Sequence, residues 1–187
     1  MIKSPNDIDR KTFNKAKREC EKGNQDFIEE YAYYVRDGDF CDKNVDLAIE
    51  IFEEARAKTS SVSATQSIGF IYRDKQNYEK AFEYYSETNE HADNYFPLVA
   101  DCYYYGIGIS KNRQMALELY EQINLKKINK YCVQRANYMI GRIYLEGEIV
   151  DKSIEKARYY LELANEDNDH NGAQELLMIL GRTKDLN

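Results

Sequence analysis

Two histidines and four cysteines are the residues of this 187-residue sequence best suited to metal or nucleophilic chemistry. His91 and His170 stand in the polar stretches TNEHADN and NDNDHNG, neither with a second imidazole at helical spacing, so a zinc site would lack ligands. Cys20, Cys41, Cys102 and Cys132 are widely separated and form no CxxC pair. They read as reduced, packing thiols. Cysteine–histidine catalysis would need Cys102 or Cys132 to meet His91 or His170, with a third group to orient the pair, and no such group stands out. Glu29 with Glu30 and Glu53 with Glu54 are sequence neighbours, which diverge on a helix surface instead of converging on one reacting bond. The run Gly106-Ile107-Gly108-Ile109-Ser110-Lys111 has the glycines of a phosphate loop, but it follows a helical pattern and lacks the GKS or GKT ending. The expectation is a non-catalytic chain with no cofactor, no metal and no small-molecule substrate.

Charge narrows the partners. With 26 Lys plus Arg against 33 Asp plus Glu, the net charge is −7, which repels phosphate backbones and anionic lipid. The 17 tyrosines could stack on single-stranded bases, yet the basic track such binding needs is missing. Neither a nucleic acid nor a membrane is expected as a partner. The opening MIKSPNDIDRK has no apolar stretch after a basic one, and no apolar run is long enough to span a bilayer. A cytoplasmic location is the expectation.

The elements that must carry any surface are helices. Only two prolines, Pro5 and Pro97, and nine glycines interrupt long stretches of Leu, Ile, Tyr, Ala, Glu and Lys at helical spacing. Four segments align with one another. Each has a small residue in a first helix (Ala32, Gly69, Ala100, Gly141) and a larger one three positions on (Val35, Tyr72, Tyr103, Tyr144). Each then has an alanine in a second helix: Ala48, Ala81, Ala116 and Ala157. Phe52, Tyr85, Tyr120 and Leu161 follow one turn later, and Ala55, Thr88, Ile123 and Ala164 complete a buried stripe. Asn44, Asn77, Asn112 and Ser153 stand one turn before the alanines as helix caps, with Asp46, Glu79 and Glu155 in the first turns.

This order of small residue, Tyr, Gly, short loop and then Ala with an aromatic resembles the Sel-one-like repeat, a relative of the tetratricopeptide repeat with a longer loop between its helices. Gly38, Gly106 and Gly147 match the glycine that opens that loop. The second segment has Lys75 there and is shorter, so it is similar to a tetratricopeptide repeat proper. The resemblance covers about residues 24–181. It implies an all-α, right-handed α-α superhelix of about four helix-turn-helix repeats, at about 24–57, 61–90, 93–125 and 132–166, in a single domain 1–187. Capping helices are expected at 8–21, where Phe13 and Cys20 repeat the second-helix spacing, and at 171–181, with Ala173, Leu176, Leu177 and Ile179 inward. Residues 182–187 are expected to fray.

The resemblance further implies a concave surface lined by the first helices. Positions three before, one after and four after the small residue should face it, and these hold Tyr33, Arg36, Phe70, Arg73, Tyr104, Tyr138 and Arg142, together with Glu29, Gln66, Pro97, Asp101 and Leu145, and with Tyr105 adjoining. Aromatics and arginines predominate where a purely structural helix would show Glu and Lys, and such residues are the usual anchors of protein interfaces. Two readings stay open for them. The tyrosines could serve the core with their hydroxyls at the surface. Arg36 and Arg73 could pair with Asp37 and Asp74, or else capture a carboxylate with paired donors. The expected function is a non-catalytic protein–protein interaction module, an adaptor or scaffold for a protein or peptide. The alternative is an immunity or inhibitor protein that neutralises a toxin or effector by tight one-to-one binding.

Overall fold

The computed structural model describes residues 5–90, 97–127 and 129–182. His91, the start of the third repeat at 93–96 and the tail 183–187 lie outside them. Among the described residues there are helices and turns and no strand. The chain divides into two compact units, Met1–Thr88 and Asn89–Asn187.

The first unit holds α1 (Pro5–Glu21), a 3-10 turn (Gln25–Phe27), α2 (Ile28–Asp37), α3 (Val45–Thr59), α4 (Val62–Asp74) and α5 (Tyr78–Glu90), which runs into the boundary. The second holds α6 (Pro97–Tyr105), α7 (Arg113–Lys126), α8 (Lys130–Glu146), α9 (Ile154–Ala164) and α10 (Asn171–Arg182). The second helices start where the caps require. Asn44 accepts from the Leu47 amide, Asn77 from Lys80, Asn112 from Met115 and Ser153 from Lys156. Each side chain satisfies an N–H that the first turn leaves open.

Small residues let the paired helices close. A Cβ on Gly69 would come within 2.5 Å of the Tyr85 ring, so the ring occupies the space a side chain would take. At the end of α8, Gly147 has φ 67°, and a Cβ there would meet Lys152 Cβ at 2.7 Å. Both the left-handed backbone and the returning loop therefore demand glycine. In the first unit Ile28, Ala32 and Val35 of α2 pack on Ala48, Phe52 and Ala55 of α3 and on Ile68 of α4. In the second, Ala100, Ala116, Tyr120, Ile123, Met139 and Ile140 form the core.

The terminal helix corrects one expectation. Ile179 does not face inward: it is exposed together with Met178, and Leu180 is the buried residue alongside Ala173. Two helical turns separate 173 from 180, whereas 179 lies roughly 120° round the helix from that line. The apolar run LLMIL left the choice between them to packing.

Candidate functional site

Each first helix of the first unit carries an aromatic side chain and, three residues on, an arginine lying over it. The Arg36 guanidinium sits 4.9 Å from the centre of the Tyr33 ring, and Arg73 sits 5.1 Å from that of Phe70. The spacing of three brings the two side chains to one side of the helix. Both arginines are held by the next residue. Arg36 Nε and Nη2 donate to the two carboxylate oxygens of Asp37, each at 2.7 Å, and Arg73 donates from Nε and Nη2 to Asp74 Oδ1. The guanidinium hydrogen bonds hold the Asp37 carboxyl below its ordinary range. The Tyr33 hydroxyl lies 2.9 Å from Ser67 Oγ and 3.1 Å from Ser63 Oγ on α4, while its ring stands edge-on to Phe52. Phe70 likewise meets Tyr85 edge-on. The rings are thus fixed from below, and the cations lie half-exposed above them, Arg36 partly covered and Arg73 more open.

In the second unit the cations come from α8. Arg142 donates to the Tyr105 hydroxyl at 2.9 Å and to Glu146 Oε1 at 3.1 Å, and its guanidinium lies 6.0 Å from the Tyr138 ring centre. Arg135, two turns earlier, lies 5.8 Å from the same ring. Its Nη2 donates to Asp101 Oδ2 at 3.1 Å, and the Tyr120 hydroxyl donates to Asp101 Oδ1. Burial raises the Asp101 carboxyl above its ordinary value, although Arg135 and the Tyr120 hydroxyl pull it down. Tyr138 is half-buried, tilted over His170 at 4.7 Å between ring centres and packed against Gly172.

Tyr104 departs from the expectation of a side chain offered to a partner. It is 1% exposed, with its hydroxyl donating to Glu146 Oε1 and Arg113 stacked 4.7 Å from its ring centre. Position 104 is one turn after Ala100 and shares its side of the helix, facing the neighbouring element. The equivalent Arg36 and Arg73 have stems long enough to carry their charge outward, while a tyrosine ring remains inside. Tyr105, next along, is 46% exposed.

The structure therefore brings Tyr33 together with Arg36, Phe70 with Arg73, and Tyr105, Tyr138 and Arg142 around α8. Sequence reasoning passed over Arg135, Glu146 and Arg113. Arg135 carried a readable signal, since it stands three before Tyr138 and seven before Arg142 on one helix face. Arg113 and Glu146 carried none, because their meeting at 2.7 Å depends on how α7 and α8 pack.

The arrangement offers guanidinium donors and ring faces, which suit recognition of a polar chain. Among the described residues no group of three or more His, Cys, Asp or Glu could hold a metal ion. Burial pushes the Cys102 thiol up to about 12, so the thiolate needed of a nucleophile is suppressed at neutral pH. Among the described residues no helix is long and apolar enough to cross a membrane.

Comparison with known proteins follows the same helix pairs. The family model of the Sel1 repeat matches residues 28–60, 69–90, 98–123 and 134–169. A Sel1 repeat protein from Oxalobacter formigenes is similar in structure, with a TM-score of 0.70 at 20% identity over 89% of this chain and 68% of that one. So is c5321, a protective antigen present in uropathogenic Escherichia coli strains and displaying an SLR fold, with a TM-score of 0.70 at 20% identity. That likeness covers 90% of this chain but 36% of the antigen. No curated protein matches the chain. At such identity the neighbours show the fold alone, an all-α superhelix of helix pairs. Because the matched segments span more than half of the residues and follow the helix pairs described above, the chain belongs to the Sel1 repeat family.

Proposed function

We propose that this chain is a non-catalytic protein-interaction module that holds a partner protein or peptide against the exposed faces of its first helices. Sel1 repeats are in general protein–protein interaction modules and are typically non-catalytic. The observation that supports the reading here is the repeated arginine-over-aromatic pair: Arg36 on Tyr33, Arg73 on Phe70, and Arg142 beside Tyr105 and Tyr138. Rings fixed from beneath and guanidiniums fixed by neighbouring carboxylates lose little freedom when a partner arrives. Of the five N–H groups on Arg142, two bond to Tyr105 and Glu146, which leaves donor capacity for a partner's carbonyl or carboxylate. Tyr104 acts from below, holding Glu146 and through it Arg142.

The test compares capture from the native cell by immobilised wild-type protein and by an Arg73→Ala/Tyr105→Ala variant. Both positions are exposed, so helicity and melting should stay close to wild type while the captured partner is lost. A variant that keeps the same partner at undiminished yield would reject the assignment. Stoichiometry then separates the adaptor from the dedicated inhibitor. A one-to-one complex that survives gel filtration at nanomolar concentration belongs to an inhibitor, and weak capture of peptide-sized ligands belongs to an adaptor.

A further inference from the structure

The second helices of the second unit leave a cleft on a different set of residues from the first-helix face. It opens between α7 and α9 over the first two turns of α8 and has a volume of about 990 Å³. Leu125 and Leu163 stand at its apolar walls with Tyr159, and all three are exposed, Leu125 by 82% and Tyr159 by 58%. Tyr159 and Tyr160 meet edge to face at 5.3 Å, and Tyr160 is stacked in turn on Tyr144. An apolar rim this open, beside rings held in place, is surface that a partner would cover.

The polar groups say what kind of partner. In the floor Asn124 Nδ2 donates to Asn137 Oδ1 at 2.7 Å, with Asn137 itself 4% exposed. Asn124 Oδ1 is buried and has no hydrogen-bond partner among the described residues. Lys130 and Asp167 neutralise each other at 2.5 Å. Of the remaining charges, Glu121 and Glu166 make no ion pair within 4.0 Å among the described residues; Lys127 shares the lining, and Lys130 feels the field of Glu166 as well as that of Asp167. The cleft thus keeps a small excess of negative charge, Glu121, Glu166 and Asp167 against Lys127 and Lys130, and it offers aromatic faces and aliphatic walls.

We propose that this cleft docks an arginine-bearing segment of a partner protein. A guanidinium is planar, stacks on aromatic faces and carries five donors, so one group meets both needs: the ring of Tyr160 and the Glu121 carboxylate whose field reaches it. Aliphatic neighbours of that arginine cover Leu125 and Leu163. Lysine satisfies the charge but presents no flat face to the rings. The site goes beyond the first-helix reading and shares no residue with it.

The test is a titration of the isotope-labelled full chain, followed by NMR, with the capped tripeptide acetyl-Leu-Arg-Leu-amide. Its citrulline and glutamate counterparts serve as probes of charge. The arginine peptide should give saturable shifts at Asn124, Asn137, Tyr159 and Leu163, and the citrulline peptide should bind at least tenfold more weakly. Glu121→Gln/Glu166→Gln, at two exposed positions, should keep the native spectrum and weaken the arginine peptide about tenfold, a loss of about 1.4 kcal/mol. Arg142→Ala should leave this binding unchanged, which separates failure here from failure of the first-helix reading. Absence of a saturable shift, equal binding of the citrulline or glutamate peptide, or wild-type affinity in the double variant would overturn the proposal. So would shifts at these residues that appear on concentrating the protein alone, since a second copy would then be the occupant.

Discussion

Single residues decide how much charge the first-helix faces keep. Asp37 and Asp101 are both paired with arginines, yet their carboxyls move in opposite directions. Asp37 is exposed and its guanidinium bonds lower it, whereas burial of Asp101 outweighs the help of Arg135, Tyr120 and the nearby Arg142 and raises it. A folded value above the unfolded one means that the folded chain holds the proton longer. The stabilising contribution of Asp101 is therefore complete below its unfolded value of about 4 and is lost as pH rises through the folded value. Asp101→Asn has no such term. Its stability relative to wild type, measured by urea unfolding, should rise between about pH 3 and about pH 7. A fall over that interval would mean that the ion pair to Arg135 governs the site.

The same scale explains which tyrosines serve which purpose. With 17 in the chain, type alone does not separate Tyr104, sealed in the core, from Tyr105, half-exposed beside it. Their neighbours along the helix do, because only Tyr104 shares the side of Ala100. Reading the column at one turn as surface worked for the arginines, whose length overrides their direction, and failed for the ring.

Helices and their ends were the most legible level. The four capping side chains and the acidic first turns follow from local hydrogen bonding, which needs no tertiary partner to be specified. Asn112→Ala should accordingly cost about 1 kcal/mol of stability, read as a lower urea midpoint with an unchanged slope. An unchanged midpoint would show that α7 is held by packing alone. Gly69 makes a sharper test of helix pairing. Gly69→Ala should destabilise by about 1–3 kcal/mol despite alanine's better helix propensity, because the new methyl meets the Tyr85 ring. A stabilised variant would mean that α4 and α5 have room to part. The end of α10 was less legible, since LLMIL presents apolar residues all round and only the facing helix selects Leu180 over Ile179.

At the scale of the molecule, described contacts run mostly between elements that are neighbours in the chain, with α6 also meeting α8, as a stack of repeats requires. Such a stack opens piecewise. Leu161 of α9 is fully buried against Gly141 of α8, and Leu161→Ala should cost about 2–5 kcal/mol. Hydrogen exchange should show the lost protection concentrated in α8, α9 and α10. Uniform loss over every helix would instead make the chain one cooperative block.

By itself the sequence determined the class of helix pairs, the registers at which they meet, the caps that start the second helices and the glycines that open the loops. All of these rest on interactions within about one turn or on a spacing that repeats four times, so the chain states them more than once. Tertiary structure alone decided that Tyr104 is sealed by Arg113 and Glu146, that Asp101 is buried, and that a cleft with an unpartnered Asn124 oxygen opens between α7 and α9. Each of those depends on side chains from separate helices reaching one place, which local spacing does not encode.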